Sequence, residues 1–489
     1  MFRPSLEEAE ALAKDYGRIP VSCRMLSDVT TPIEVMRKLK KVSSHCFMLE
    51  SVEEQEKWGR YTFLGYDPVM EFVCTDYVCT VTKQGEKSTF EVRHPAEKIR
   101  EIMENCESPK LPYLPTFTGG LVGYFSYDYI KYAEPALQLT APDEEGFRDV
   151  DLMLFDKVIA FDNLKQTIIL MVNIRTDNLA ENYAKAVEEL ARMKDLILHG
   201  EPADIPKGRR TSEYRQLFDE AHYCDMVERA RRYIYEGDIF QVVLSNRLDA
   251  DFEGSLFDTY RQLRVINPSP YMCYFSSNDI EVAAASPETL VKLEEGVLHT
   301  FPLAGTRPRG KTYEEDQELE RGLLADEKEL SEHNMLVDLG RNDIGKISDF
   351  GTVEVEKYMQ IERYSHVMHI GSTVRGQLRK DCDALDAVDA ILPAGTLSGA
   401  PKFRACEIIN ELEQNKRGIY GGAIGYIDFS GNLDTCIAIR LAFKKNGKVF
   451  VRSGAGIVAD SVPEKEYQEC INKAKAVLTA LDQAGEEDM

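Results

Sequence analysis

The chain has 489 residues, 43% hydrophobic and 29% charged, and is longer than one hydrophobic core usually supports, so we expect two lobes or layers. Its formal net charge of −24 and lack of a basic stripe argue against a nucleic-acid partner. The 11 cysteines lack paired metal-type spacing, and neither an apolar signal core nor an 18-residue apolar run occurs; we therefore expect a cytoplasmic protein with reduced thiols and no membrane contact.

Short β-like runs separated by turns fill the first part of the chain and predict antiparallel strands. These runs are residues 46–49, 61–66, 69–81, 121–125, 158–161 and 166–172. An amphipathic helix is predicted over 179–198, and the polar, Pro- and Gly-containing stretch 199–210 reads as a linker. We therefore predict a strand-rich N-terminal domain over residues 1–200 and a second domain over 201–489.

The second part of the chain mixes helices and strands without regular alternation. Predicted helices are 223–236, 256–266, 313–338, 383–392, 402–414 and 464–484; predicted strands are 239–247, 271–276, 282–285, 418–428, 435–443 and 448–454. Such an order favours an α+β fold over a doubly wound parallel sheet. We expect layered antiparallel β-sheets with helices packed outside them.

Two predicted helices carry paired carboxylates. Read as helix, residues 326–335 place Glu329 and Glu332 one turn apart on the same face, and residues 463–473 repeat that spacing with Glu466 and Glu469. Two such pairs offer the oxygen ligands that a hard divalent cation prefers. The alternative is that both pairs lie on ordinary solvated helix faces.

Glycine-rich turns between these helices carry potential anion-binding groups. Arg440 ends a predicted strand and can clamp a carboxylate with two hydrogen bonds, while Gly454 and Gly456 allow main-chain N–H groups to approach an oxyanion. In the turn 301–310, Thr306 could hydrogen-bond a carboxylate, and Arg307 or Arg309 could brace the loop. The alternative is a plain hairpin whose small residues serve packing.

A Gly-, Ser- and Thr-rich loop over 392–402 opens into a helix at Pro401, and a helix N-terminus favours anions. The loop lacks the spacing of a nucleotide-binding P-loop. His366 and His369 fall on opposite faces if their segment is a strand, so at most one of them faces a cleft. A histidine there has a pKa suited to a base, although a lone histidine is more often structural.

Six segments, taken in order, carry a family resemblance: ASPE (285–288), LAGTRPRG (303–310), EKELSEHNMLVDLGRNDIG (327–345), LPAGTLSGAPK (392–402), GIYGGAIGY (418–426) and GAGIV (454–458). Together they resemble the chorismate-utilising enzymes, and within that family the large components of anthranilate synthases. The resemblance covers nearly the whole chain. It implies a layered α+β fold with a central active-site cleft, in which chorismate and ammonia become anthranilate and pyruvate.

The resemblance also implies roles for individual residues. Mg²⁺ would be held by Glu332 and Glu469, with Glu329 and Glu466 as further ligands or neighbours of the ligands. Predicted contacts to chorismate are Gly305, Thr306, Tyr420, Arg440, Gly454, Ala455, Gly456 and Lys473. Glu288 matches the general acid that protonates the departing C4 hydroxyl after amination at C2. His369 matches the residue of the pyruvate-elimination step, and Thr396 lines the site.

Two positions distinguish relatives within the family. Isochorismate and salicylate synthases carry a water-activating Lys where this chain has Gln241, a neutral amide that suits ammonia as the nucleophile. Many aminodeoxychorismate synthases carry a Lys in place of Ala304 that attacks C2. Some members of that group lack this Lys, so the folate-pathway activity stays an alternative. A non-enzymatic amino-acid sensor is a further alternative, but it is expected to have lost the metal-site acids.

Two further segments match the tryptophan feedback site of the resembling enzymes. These segments are FMLES, which ends at Ser51, and NPSPYM, which contains Pro270, Tyr271 and Met272. Ser51 would bond the ammonium group of L-tryptophan and Pro270–Met272 would wall its indole. The alternative is a buried contact between the two lobes. None of the cysteines lies in a glutaminase nucleophile elbow, so the resemblance implies a separate glutamine amidotransferase subunit that supplies ammonia.

Overall fold

The computed structural model describes residues 2–51, 59–363 and 367–486. Within these ranges the α-helices are α1 (Leu6–Leu12), α2 (Pro32–Val42), α3 (Pro95–Met103), α4 (Ile130–Ala133), α5 (Leu179–His199), α6 (Glu220–Tyr235), α7 (Phe257–Ile266), α8 (Tyr313–Leu324), α9 (Glu327–Gly345), α10 (Ala384–Ile391), α11 (Lys402–Glu413) and α12 (Pro463–Ala484). Single 3₁₀ turns occur at Tyr127–Tyr129 and Gly395–Leu397.

The strands in chain order are β1 (Arg18–Leu26), β2 (Cys46–Glu50), β3 (Tyr61–Tyr66), β4 (Met70–Thr75), β5 (Val78–Lys83), β6 (Glu86–Glu91), β7 (Gly120–Phe125), β8 (Val150–Phe155), β9 (Lys157–Asp162), β10 (Thr167–Arg175), β11 (Arg209–Arg210), β12 (Arg215–Gln216), β13 (Gln241–Glu253), β14 (Tyr271–Ser276), β15 (Ile280–Ser286), β16 (Thr289–Glu294), β17 (Val297–Thr300), β18 (Leu303–Pro308), β19 (Glu354–Arg363), β20 (Val367–Gln377), β21 (Gly399–Ala400), β22 (Ala423–Asp428), β23 (Leu433–Ile437), β24 (Leu441–Lys445) and β25 (Lys448–Ile457).

These strands form two antiparallel sheets. The first sheet has 13 strands in the order β1-β10-β9-β3-β2-β14-β15-β24-β25-β13-β11, with β12 and β21 also paired to β13. The second has 12 strands in the order β18-β20-β17-β16-β23-β22-β7-β8-β4-β5-β6, with β19 paired to β20. Each sheet contains strands from both sides of residue 200, so the proposed domain boundary there stays a prediction from the sequence.

The two sheets pack against each other through aromatic and aliphatic side chains. Phe47 of the first sheet meets Phe155 of the second with ring centroids 4.7 Å apart, within a cluster that also contains Phe275 and Ile424. Helices α2, α5, α7 and α12 cover the outer face of the first sheet, and α3, α9 and α10 cover the second. This confirms the predicted α+β layering with helices outside.

Burial on both faces explains the continuous apolar runs. Strand β10 reads TIILMVNIR and is buried from Ile168 to Ile174, because one face meets the opposite sheet and the other meets α5. No helix in the described ranges has the length and apolar character needed to cross a membrane.

Three predicted elements are each divided in two. The run 69–81 is the hairpin β4–β5, because Asp76 and Tyr77 adopt positive φ values of 45° and 68°. The helix predicted over 313–338 is two helices, since the Asp326 carboxylate caps the start of α9 by accepting from the backbone N–H groups of Lys328 and Glu329. The strand predicted over 435–443 is β23 and β24, which lie in different sheets.

A buried ion network joins α11 to β13 and β25. The Glu413 carboxylate, 1% exposed, accepts hydrogen bonds from Arg417 and, at 2.8 Å, from Arg452. Ser245 contributes its N–H at 2.8 Å and its hydroxyl at 2.9 Å to the same carboxylate. Arg417 also donates to the Leu397 carbonyl oxygen at 2.7 Å. One acid therefore fixes two guanidinium groups and the loop after α10.

We expect Glu413→Ala to lower the free energy of unfolding by about 3–5 kcal/mol, because it leaves two buried guanidinium groups without their shared acid. Glu411→Ala is the matched control on the same helix. Its exposed pair with Arg229 should contribute about 1 kcal/mol or less. Urea denaturation of both variants measures the difference. Equal losses would mean that the buried network does not stabilise the fold.

Candidate active site

A cleft of about 510 Å³ brings together the predicted catalytic, substrate-binding and metal-binding side chains. It is lined by Glu288, Gly305, Thr306, Glu329, Glu332, His369, Thr396, Tyr420, Arg440, Gly454, Gly456, Glu466, Glu469 and Lys473, and also by Gln241 and Ala304. Ala455 is the exception. Strand alternation turns its fully buried side chain away from the cleft, into the cluster under α6 and α11. Only the main chain of Ala455 therefore remains to serve the predicted contact.

Two chain crossings between the sheets form one wall of the cleft. Residues 286–288 lead from β15 in the first sheet to β16 in the second, and residues 438–440 lead from β23 back to β24. Each crossing is bonded to the strand that leads into the other: the N–H of Ile437, which ends β23, donates to the Glu288 carbonyl oxygen at 2.9 Å, and the Ala285 N–H in β15 donates to that of Arg440 at 3.1 Å. Glu288 and Arg440 are thereby held side by side.

Glu288 has the environment of a general acid. Burial raises the pKa of its carboxyl group to about 7, while the Thr396 hydroxyl bond and the charges of Arg440 and Lys473 lower it. Thr396 donates to Oε1 of Glu288 at 3.2 Å. A carboxyl group with a pKa near 7 is partly protonated at neutral pH and can donate that proton.

His369 on β20 is oriented by a β-bulge in β18. The register shifts between Ala304 and Thr306, and Gly305 adopts a φ of 62° there. A side chain at Gly305 would meet Leu323 at 2.9 Å and Glu329 at 3.2 Å, so glycine fits this position. The Gly305 carbonyl oxygen lies 2.9 Å from Nδ1 of His369 and can only accept, so Nδ1 carries the hydrogen.

This tautomer leaves the ring lone pair of neutral His369 on Nε2. Burial and the charge of Arg440 lower the pKa of the imidazole, whereas the bond to Gly305 raises it, and the net shift is downward. The Thr306 hydroxyl also lies 3.1 Å from Nδ1. A neutral imidazole with a fixed tautomer is suited to act as a base.

Arg440 provides a cation for an anionic ligand. Its backbone is in the left-handed region with a φ of 51°, and its partly buried side chain lines the cleft. To the residues that the structure describes, its guanidinium makes no hydrogen bond or ion pair. Burial lowers its pKa and Glu288 raises it, with a net downward shift. A carboxylate ligand would satisfy this guanidinium.

The opposite wall is formed by β13, β25 and α12. Lys473 donates to the Gly454 carbonyl oxygen at 3.0 Å and pairs with Glu469 at 2.7 Å. A side chain at Gly454 would lie 3.0 Å from the Tyr420 hydroxyl. Gln241 is 5% exposed, and its Oε1 atom has no hydrogen-bond partner among the described residues. This wall thus contributes the cation of Lys473, and Gln241 keeps a buried amide oxygen that can accept an N–H.

The carboxylate pairs lie on α9 and α12, as predicted, and all four face the cleft. Burial raises the pKa of Glu332, and the charges of Glu329 and Glu469 raise it further. Burial and the charge of Glu469 also raise the pKa of Glu466. Such mutual repulsion between oxygen donors is what a hard divalent cation relieves.

The acids are not yet assembled as one ligand set: within the described ranges, no group of three or more His, Cys, Asp or Glu residues is arranged to hold a metal. Glu469 is paired with Lys473, and Glu329 lies 3.4 Å from Arg307. The four carboxylates are donors that suit Mg²⁺. To bind one ion together, Glu469 and Glu329 would have to reorient away from these partners.

The predicted tryptophan-site segments lie together outside the cleft lining. Strands β2 and β14 are neighbours, with Glu50 opposite Met272, so Ser51 follows directly beside Tyr271. Met272 is fully buried. The Tyr271 hydroxyl donates to Asp434 at 2.8 Å and lies 3.0 Å from that of Thr289. The tryptophan assignment of Ser51, Pro270, Tyr271 and Met272 stays a prediction.

The other residues singled out in the sequence lie partly inside and partly outside the cleft. From the loop 392–402, Thr396 and Leu397 reach the cleft, while the N-terminus of α11 is not among its lining residues. His366 lies outside the described residues. Arg307 braces its loop by donating to the Thr306 carbonyl oxygen at 2.9 Å, whereas Arg309 pairs with Asp316.

Two charged residues of the cleft lining were missed by the sequence analysis. Lys328, beside Glu329 on α9, and Arg452, in the apolar strand β25, both line the cleft. A charged residue inside the run KVFVRSGAGI was the available signal for Arg452.

Comparison with known proteins agrees with this geometry. A family described as chorismate binding enzyme matches residues 44–479. The chain belongs to the chorismate binding enzyme family. Relatives in it include anthranilate synthase component 1 of Acetivibrio thermocellus, 48% identical over 99% of this chain and 100% of the relative, and that of Aquifex aeolicus, 46% identical over 99% and 98%.

Solved structures share the fold. Anthranilate synthase component I from Streptococcus pneumoniae is 36% identical, with a TM-score of 0.74 over 93% of this chain and 98% of that one. The menaquinone-specific isochorismate synthase of Escherichia coli is 19% identical, with a TM-score of 0.71 over 98% and 99%, and supports the fold alone.

We expect kcat/KM for the substrate of the cleft to fall as pH rises through about 7, because Glu288 must be protonated to act as an acid. The Thr396→Val variant loses the hydrogen bond that stabilises the ionised carboxylate of Glu288, so the decline of its kcat/KM should begin at higher pH. Thr396→Ser, which keeps the hydroxyl, is the control. Identical pH profiles in all three proteins would exclude Glu288 as the titrating acid.

Proposed function

We propose that this chain converts chorismate and ammonia to anthranilate and pyruvate, as the synthase component of an anthranilate synthase. One observation carries the proposal: a chain 48% identical to an anthranilate synthase component 1 over its whole length gathers Glu288, His369, Arg440 and four glutamates in one cleft. The identity of that relative as an anthranilate synthase component supports tryptophan biosynthesis as the pathway. It also supports a second component as partner.

Chorismate carries two carboxylates, and the cleft offers separate cations for them. Arg440 would hold one carboxylate at the crossing that also carries Glu288. Mg²⁺, placed by Glu332 and Glu469 with Glu329 and Glu466 beside them, would hold the ring carboxylate. Bound Mg²⁺ would supply charge neutralisation between the acidic wall and the anion. The field of a protein with a net charge of −24 is thereby overcome locally.

Proton transfers fall to two side chains. Glu288, protonated, donates to the C4 hydroxyl so that it leaves as water while ammonia bonds to C2. His369, whose tautomer places the lone pair on Nε2, would then remove the C2 proton as pyruvate is eliminated and the ring becomes aromatic. Gln241 offers an amide oxygen that can accept an N–H of the attacking ammonia and cannot act as a base for water.

The nearest alternative is an aminodeoxychorismate synthase, which aminates C4 and retains the pyruvate ether. On the cleft wall this chain has Ala304 at the position where many of those enzymes carry the Lys that attacks C2. Chorismate, ammonium and Mg²⁺ incubated with the chain distinguish the two functions. Strong anthranilate fluorescence with equimolar pyruvate is expected; an aminated product without pyruvate would contradict the proposal.

Replacing a metal-site acid tests the magnesium proposal. We expect Glu332→Gln to weaken Mg²⁺ binding and Mg²⁺-dependent turnover on the order of 10–100-fold, with unchanged thermal unfolding. Calorimetric titration with Mg²⁺ in the presence of chorismate gives a readout besides activity. The control is Glu327→Gln, which neutralises an exposed acid at the start of the same helix. Equal Mg²⁺ affinity in both variants would remove Glu332 from the site.

Tryptophan inhibition is proposed for the segment where β2 ends beside β14. Ser51→Ala removes the hydroxyl proposed to bond the ammonium group, a charge-assisted bond, and should raise the half-inhibitory tryptophan concentration about tenfold. Anthranilate synthesis without tryptophan should not change. The control is Ser44→Ala, on the far side of β2, where the hydroxyl bonds Asn278. An unaltered inhibition curve for Ser51→Ala would exclude that residue.

The nitrogen source is proposed to be a separate glutamine amidotransferase subunit. The name component 1 in the relatives supports a partner, and the sequence contains no glutaminase nucleophile elbow. The isolated chain is expected to use ammonium but not glutamine. Glutamine-dependent synthesis by this chain alone would contradict a separate subunit.

A further inference from the structure

A second, smaller cavity of about 40 Å³ adjoins the cleft behind Glu288. It shares Glu288, Leu336 and Thr396 with the cleft lining. From there it follows α9 past Leu339 and Gly340, which are partly exposed to solvent, to the buried Asp343. The cavity therefore extends from the general acid along α9, in a direction separate from the main cleft, and passes beside residues that are partly exposed.

Its size limits what can occupy it. A water needs about 10–15 Å³ of such volume, so the cavity has room for roughly three or four molecules of that size. Two glycines keep it open. A side chain at Gly340 would approach Thr300 to 3.1 Å, and one at Gly395 would approach Leu339 to 2.7 Å. Chorismate is excluded from it.

Its polar groups are placed where a water needs partners. The hydroxyls of Thr300 and Thr396 and the carboxyl of Glu288 line the cavity, while Leu290, Leu336 and Ile437 form apolar walls. The Thr300 hydroxyl donates to the Leu290 carbonyl oxygen at 3.3 Å and keeps its lone pairs for another donor. A buried water is stable when it has two to four such partners.

We propose that this side cavity receives the water released from C4 of chorismate, an inference that rests on the proposed function. In the amination step the C4–O bond breaks and the N–C2 bond forms, and the proton of Glu288 passes to the departing oxygen. The water so formed lies at the carboxyl of Glu288, which is the inner end of the cavity. With chorismate filling the cleft, the side cavity is the adjoining space into which this water can move.

Filling the cavity tests this proposal with the isolated chain, chorismate, ammonium and Mg²⁺. Gly340→Leu places a bulky side chain against Thr300 at a helical position that tolerates leucine well. We expect kcat to fall roughly fivefold to tenfold, the equivalent of about one lost hydrogen bond, with unchanged KM for chorismate and ammonium. Gly340→Ala is the matched control and should retain most of its kcat.

A second variant and a second measurement separate this role from damage to the fold. Thr300→Ile narrows the cavity from β17 and should reproduce the kcat loss, whereas Thr300→Val, of equal size, tests the hydroxyl alone. The alkaline decline of kcat/KM should stay near pH 7 in Gly340→Leu if Glu288 is undisturbed. A displaced decline in that variant would assign the loss to Glu288 and overturn the proposal.

Other outcomes also decide the question. An unchanged kcat in both filled variants would overturn the proposal, and a raised KM for ammonium alone would assign the cavity to ammonia entry instead. Crystals with Mg²⁺ and chorismate should contain an ordered water touching Glu288 and Thr396 that Gly340→Leu displaces. Failure of the wild-type chain to make anthranilate would instead contradict the proposed function.

Discussion

The active site depends on the paired crossing of the chain between its two sheets. One crossing carries Glu288 and the other carries Arg440, and main-chain hydrogen bonds of 2.9 and 3.1 Å join them. Each crossing ends one strand pair and begins the next, so a shift in either would disturb both sheets. An acid and a cation are thereby held side by side by the largest elements of the fold.

Electrostatics in the cleft are local and oppose the charge of the whole protein. Glu413, 1% exposed, anchors Arg417 and Arg452 behind the cleft wall, and Arg452 also lines the cleft. Arg440 is left for a ligand because its neighbour Glu288 is kept partly protonated by burial. If Glu288 were fully ionised, it would neutralise Arg440 and lose its function as an acid at the same time.

Residue patterns within single segments of the sequence predicted much of this site, whereas contacts between distant segments were not predicted. The glutamate pairs were predictable because helical spacing is a local property, and the glycine turns because their motifs are contiguous. The division of β23 from β24 was not, since its cause is a left-handed Arg440 whose strands join different sheets. The Glu413 network also escaped prediction, because its members are separated by up to 207 residues along the chain.

The register of one strand pair bears on how the proposed tryptophan site would act on catalysis. Tyr271 lies opposite Ser286, two residues before Glu288, and its hydroxyl contacts Thr289, the residue after Glu288. Tyr271 thus contacts the crossing both through the strand ladder and through its side chain. A ligand that displaces the start of β14 must move Tyr271, break the contact with Thr289 or carry the Glu288 crossing along. If only Tyr271 moves, or only its contact with Thr289 breaks, Glu288 stays in place. If the crossing moves as well, Glu288 is separated from Arg440, so we expect an inhibitory ligand at this position to act by displacing the crossing.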